Sequence, residues 1–158
     1  MSTLTIGDKI PALEASDQTG ALRNLNEFIG KPFILYFYPK DLTPGCTMQA
    51  CSLRDAQQDL LNLGYAVVGV SADTVNAHAR FTEKKQLNFT LLADVDKKII
   101  NAFGVWGSKK FMGREYDGII RTTFLINEAG IIIHRIDKPK TKIHGEELLE
   151  IIKKVERK

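Results

Sequence analysis

The sequence predicts an α/β protein in which a mixed central sheet is flanked by helices, and three observations carry that expectation. Phe33-Ile34-Leu35-Tyr36-Phe37-Tyr38 is a continuous apolar run of strand length, as expected of a central strand buried on both faces. Strand-like and helix-like segments alternate on either side of residues 65–71, the mark of parallel crossovers. Two strand-like segments, 122–127 and 131–136, flank Glu128-Ala129-Gly130 and read as an antiparallel hairpin.

The elements follow in order. Residues 9–29 alternate around Asp17-Gln18-Thr19-Gly20, a small hairpin. Pro39 ends the central strand because proline cannot donate to a ladder. A helix is predicted from Thr43-Pro44 to about residue 63: proline suits the first helical position, Thr43 is a good cap before it, and Gly64 stops it. Residues 65–71 form a second buried strand. Asp73 or Thr74 caps a helix that runs to residue 85. A short strand at 89–93 and a short helix at 96–103 come next. Residues 104–120 show no clear periodicity and read as a long surface segment. Residues 146–155 form a final amphipathic helix. This order matches a thioredoxin-like fold, and the pattern alone fits other small three-layer folds as well.

The 158 residues fit one domain, 1–158, with no repeat, linker or low-complexity tract. The net charge of +3, from 22 basic and 19 acidic residues, is too small and too scattered to point to nucleic acid or an anionic membrane. The basic stretches 138–142 and 153–158 read as a solvated loop and a solvated helix end. No apolar run reaches membrane-span length, and the N-terminus lacks a basic-then-apolar signal. The expectation is a cytoplasmic protein with no membrane partner.

The chemistry concentrates on two cysteines, Cys46 and Cys51. Two are too few for a disulfide-stapled secreted scaffold; in a reducing compartment a close pair is redox-active or metal-binding more often than structural. His78, His134 and His144 do not stand at metal-ligand spacing with them, so no metal is expected. Cys46 falls in the first turn of a helix that follows a strand, where unpaired N–H groups and the helix dipole favour a thiolate. Gly45 lets the backbone pass close to a ligand. A plain alternative makes Cys46 a small buried hydrophobe. Around the helix, Cys46, Leu53 and Leu60 form one stripe, flanked by Ala56 and Leu63, that faces the sheet. Cys51 sits about 140° around and about 7.5 Å along from Cys46. A disulfide needs Cα atoms roughly 4.4–6.8 Å apart and converging side chains. An intact helix therefore cannot hold a Cys46–Cys51 bond; if the thiols pair, the first turns must unwind. Otherwise Cys51 is a passive residue.

Pro39-x-x-x-Thr43-x-x-Cys46 resembles the active-site signature of peroxiredoxins. The run from Tyr36 through Pro39-Lys40-Asp41-Leu42-Thr43-Pro44-Gly45-Cys46 to Cys51 is similar to the bacterioferritin comigratory protein, or peroxiredoxin Q, group. A second block, Gly104-Val105-Trp106-Gly107 to Gly113 and then Tyr116-Asp117-Gly118 to Ile126, agrees with it. The resemblance implies a thioredoxin-like fold and a thiol-dependent peroxidase. It implies that Cys46 is the peroxidatic cysteine, that Cys51 resolves its sulfenic acid as an intramolecular disulfide, and that Thr43 holds thiolate and peroxide through its hydroxyl. It further implies that Arg121 supplies positive charge and that Pro39 shields the site. Hydrogen peroxide and organic hydroperoxides are the implied substrates. Thioredoxin or a glutaredoxin-like donor is the implied reductant, with no cofactor and a monomeric state. Gln49 and Asn127 depart from the acidic residues common at those positions. By itself Arg121 reads as a surface ion pair and Trp106 as part of a packed loop. Two rivals are a thioredoxin-type oxidoreductase, which would need a C-x-x-C pair, and a redox-gated binding module.

Overall fold

The structure, a computed structural model, describes residues 4–156. Strands β1 (Glu14–Asp17) and β2 (Leu22–Asn24) form the first hairpin, followed by a single 3-10 turn at Leu25–Phe28. The apolar run becomes β3 (Phe33–Phe37), every residue of it buried. Then come α1 (Pro44–Asn62), β4 (Ala66–Ser71), α2 (Val75–Lys85), β5 (Thr90–Ala93) and α3 (Lys98–Ala102). An antiparallel ribbon, β6 (Trp106–Phe111) and β7 (Arg114–Ile119), precedes β8 (Thr122–Ile126), β9 (Ile132–Ile136) and α4 (His144–Glu156).

Seven strands make one mixed sheet in the order β2-β1-β5-β4-β3-β8-β9. β3, β4 and β5 run parallel, while β1, β8 and β9 are added antiparallel. Because β3 is central, its alternate side chains enter two different cores. Ile34 and Tyr36 pack with Leu53 and Leu60 of α1 and Leu148 and Ile152 of α4. Phe33, Leu35 and Phe37 pack on the other face with Ile99, Ile100 and Phe103. Burial on both faces is why this strand is apolar at every position instead of at every second one.

The ribbon at residues 106–119 corrects the reading of a structureless surface segment. β7 is exposed along most of its length, so burial imposes no alternation that a sequence pattern could reveal. Its turn, Met112-Gly113, places both central residues at positive φ (53° and 80°), as a tight two-residue hairpin requires. Methionine is not the residue that advertises such a turn. Of the two caps expected for α2, Thr74 is the one used, accepting from the Ala77 N–H, while the Asp73 carboxylate accepts from the Asp41 N–H. One boundary shifts. α3 begins after Lys97 rather than at Asp96, with the Asp94 carboxylate accepting from the Ile100 N–H.

The start of α4 is clamped to the middle of α1. The Gly145 N–H donates to Ser52 Oγ at 2.8 Å. The approach is so close that a Cβ on Gly145 would lie 2.4 Å from the Ser52 carbonyl oxygen. Beside it, His144 is fully buried, with Nδ1 against Glu147 Oε1 at 2.8 Å and Nε2 against Thr123 Oγ1 at 2.9 Å. Burial pushes this imidazole below its ordinary value; Glu147 opposes that and the Arg121 charge adds to it. The unfolded chain therefore binds a proton that the folded chain resists. The stability this contributes is complete above pH about 6.5 and is lost as pH falls below it. His144→Gln is expected to flatten the loss of stability on that acid side, measured by urea unfolding across the window. An unchanged pH slope would contradict the assignment.

Candidate active site

The site forms where β3 ends and α1 begins. Such switch points lie at the carboxyl ends of parallel strands, with a helix N-terminus facing the crevice. Pro44 takes the first helical position and Cys46 the first turn. Cys46 is 1 % exposed and lies on the buried stripe with Ala50, Leu53 and Leu60; Cys51 is half-buried. Both are free thiols, and α1 is continuous through them, as the geometric argument requires of the reduced form.

Arg121, between β7 and β8, reaches this turn. Its Nη2 donates to Cys46 Sγ at 3.3 Å and its Nη1 to Gln49 Oε1 at 2.6 Å. The guanidinium passes beside Gly45, where a Cβ would stand in ordinary contact with Nη2 at 3.4 Å. Among the described residues no carboxylate pairs with Arg121, so the surface ion pair expected of an isolated arginine is not formed. A neutral amide orients the guanidinium and leaves its charge for the sulfur. Lys109 on β6 brings a second cation, donating to the Ile119 carbonyl at 2.9 Å. Burial lowers its ammonium from the ordinary value, Arg121 lowers it further, and Cys46 opposes both.

Thr43 stands at the helix N-cap, but its hydroxyl does not cap the helix. It donates to the Lys40 carbonyl at 2.7 Å. The oxygen's lone pairs stay available to accept a proton from a ligand, while the first-turn N–H groups have no side-chain cap. Pro39 is half-buried at the start of the same loop.

The sequence reading missed what holds this loop. Asp41, in the signature itself, is anchored three ways. Its N–H donates to Asp73 Oδ2 at 2.8 Å, Tyr38 Oη donates to its Oδ1 at 2.5 Å, and its Oδ2 meets His78 Nδ1 at 2.5 Å. His78 Nε2 donates to the Leu92 carbonyl at 2.9 Å, and Ser71 Oγ donates to Asp73. Asp41, Asp73 and His78 offer ligand atoms within 4.8 Å of one another, as a metal site would, but each is already engaged in this network. The sequence signal was an aspartate in the loop and a histidine on the inner face of α2; nothing in their spacing joins them. Removing one member of a buried pair leaves the other uncompensated, so His78→Leu should destabilise the fold by about 3–5 kcal/mol. The double variant Asp41→Ala/His78→Leu should recover part of that. With Asp41→Ala measured alongside by chemical denaturation, a double-variant loss equal to the sum of the two single losses would show that the pair is not coupled.

The comparisons with known proteins agree with this geometry. The AhpC/TSA family matches residues 6–135. The Bcp peroxiredoxin of Haemophilus influenzae is 49 % identical over 153 residues, covering 97 % of this chain and 99 % of that one. The peroxiredoxin Bcp of Escherichia coli is 47 % identical over 153 residues, covering 97 % and 98 %. A Xanthomonas campestris bacterioferritin comigratory protein, whose structure was described in connection with alkyl peroxide reduction, superposes with a TM-score of 0.85. It is 30 % identical, with 94 % of this chain and 99 % of that one covered. With a thioredoxin-like fold, a family match over most of its length and relatives near half identical, this chain belongs to the AhpC/TSA family as a peroxiredoxin of the Bcp, or peroxiredoxin Q, group.

Proposed function

We propose that this peroxidase reduces hydrogen peroxide and organic hydroperoxides by a two-cysteine cycle on one domain, with Cys46 as nucleophile and Cys51 as resolving thiol. The observation that carries the reading is the Arg121 Nη2 donor directed at Cys46 Sγ. A sulfur 1 % exposed takes on negative charge only beside such compensation.

In the first step the Cys46 thiolate attacks one oxygen of the peroxide. An S–O bond forms, the O–O bond breaks, and sulfur gives up two electrons. The leaving oxygen departs as alkoxide or hydroxide and takes a proton to become alcohol or water. Arg121, bound to sulfur beforehand, stabilises the charge that moves toward oxygen. Thr43 and the first-turn N–H groups position the peroxide, and Pro39 limits water at the mouth. In the second step the Cys51 thiol attacks the sulfenic sulfur. An S–S bond forms, the S–O bond breaks, and water leaves. Because α1 keeps the thiols on different faces, the helix start unwinds for this step. In the third step a dithiol donor of thioredoxin or glutaredoxin type reopens the disulfide by exchange. No cofactor takes part. The enzyme works as a monomer in a reducing cytoplasm, where the close thiol pair is regenerated. The alkyl peroxide activity described for the Xanthomonas relative supports organic hydroperoxides as substrates.

One equivalent of hydrogen peroxide should remove both free thiols with a mass loss of two hydrogens, while Cys51→Ser should stop at a trappable sulfenic acid. Persistence of both thiols would contradict the proposal. In steady-state assays, Cys46→Ser should abolish peroxide reduction and Cys51→Ser should collapse donor-coupled turnover. Arg121→Ala should slow Cys46 oxidation by about a hundredfold to a thousandfold, the size of effect seen when one donor to a developing charge is removed. A rate within a fewfold of the parent would remove Arg121 from the mechanism.

A further inference from the structure

Residues 42–51 are held in the catalytic arrangement against several local preferences. Tyr36, on β3, is fully buried, and its hydroxyl meets no hydrogen-bond partner among the described residues. Its ring is fixed. It stacks on Tyr38 with centroids 5.3 Å apart, meets the Phe89 edge at 6.0 Å, and presses on Gly69, where a Cβ would come within 2.8 Å of it. Tyr36 packs in one core with Cys46, Ala50 and Leu53, so it lies beneath the first turns of α1. Burial first, then the Cys46 and Asp41 charges, hold the phenol well above its ordinary range. Gln49, between the two cysteines, is also fully buried; its Oε1 accepts from Arg121 while its Nε2 has no partner among the described residues. Leu42 sits at φ 62°, a left-handed conformation that a Cβ disfavours.

The two ends of this segment are well made. Asp41 is fixed by Asp73, Tyr38 and His78, and Ser52 by the Gly145 clamp. Poorly satisfied groups thus lie between two firm anchors, on or under the stretch that must unwind.

We propose that the unsatisfied Tyr36 hydroxyl and Gln49 amide, together with the strained Leu42 backbone, favour unwinding of residues 42–51 and so set how fast the oxidised Cys46 closes on Cys51. When Cys46 leaves its pocket, water reaches the hydroxyl and the amide, and Leu42 relaxes. Unwinding stops at Asp41 and Ser52, where it would break satisfied bonds. The inference rests on the two-cysteine cycle. Its consequence is a partition: a sulfenic acid that closes slowly meets a second peroxide, forms another S–O bond as that O–O bond breaks, and becomes a sulfinic acid.

The test is rapid-quench mass spectrometry of the full chain, parent beside Tyr36→Phe, following sulfenic acid, disulfide and sulfinic acid after peroxide addition. Phenylalanine removes the unsatisfied group and keeps the ring. The variant should form sulfenic acid at the parent rate, close the disulfide about fivefold to a hundredfold more slowly, and accumulate more sulfinic acid in excess peroxide. It should also be more stable than the parent to urea. Closure at the parent rate or faster would overturn the proposal. So would a less stable variant, which would mean that the hydroxyl is satisfied by buried water, or a slower first oxidation, which would mean that the hydroxyl acts on the sulfur itself. If the parent forms no disulfide at all, the two-cysteine cycle fails first, and this inference with it.

Discussion

The proposed chemistry answers to one constraint: Cys46, whose sulfur would carry negative charge as the nucleophile, is almost wholly removed from water. An uncompensated buried charge is among the costliest things a fold can contain. Compensation comes from three sources of different reach. The Arg121 guanidinium makes direct contact, the start of α1 supplies unpaired N–H groups and the positive end of its dipole, and Lys109 adds a more distant cation. The sheet exists, for this purpose, to bring them together. β3 delivers the loop and helix start, while β8, its antiparallel neighbour, begins just after Arg121. The two segments are 75 residues apart in the chain, yet the sheet register places them side by side.

Gln49 illustrates how finely that compensation is divided. A carboxylate in its place would orient Arg121 equally well but would compete for its charge. The amide orients without neutralising, at the cost of an Nε2 left without a partner among the described residues. Asp41 and His78 act on the loop before α1. They fix the loop carrying Pro39 and Thr43 without directing any charge at Cys46 through a hydrogen bond. In the proposed cycle, the arrangement that suits attack on the peroxide is thereby incompatible with closure of the disulfide. The same helical turns that gather charge around Cys46 point Cys51 away from it.

Much of this was legible in the chain, because burial and local sterics write themselves into sequence. The all-apolar β3 run, the Thr43-Pro44 helix start, the Gly64 stop and the inward stripe of Cys46, Leu53 and Leu60 all follow from such rules, and the structure places them accordingly. What escaped notice depends on tertiary pairing. The β6–β7 ribbon has too little burial to impose a period, and its Met112-Gly113 turn lacks the usual residue at its first position. The Asp41–His78 contact joins residues 37 apart with no local signature. The Thr43 hydroxyl, which an N-cap rule directs to the helix, goes to Lys40 because the preceding loop curls back within its reach. Arg121 was recognisable from the family resemblance alone; by composition it was an ordinary arginine before a strand.

In the proposed cycle, residues 42–51 act as the catalytic site only while wound and hold the disulfide only while unwound, with Ser52 onward helical in both states. Amide hydrogen exchange along α1, in the reduced protein and after one turnover with peroxide in the absence of donor, tests it most directly. Oxidation should remove protection from the amides of residues 45–51 and leave those of residues 53–62 as they were. A fully formed disulfide with protection intact across residues 45–51 would contradict it.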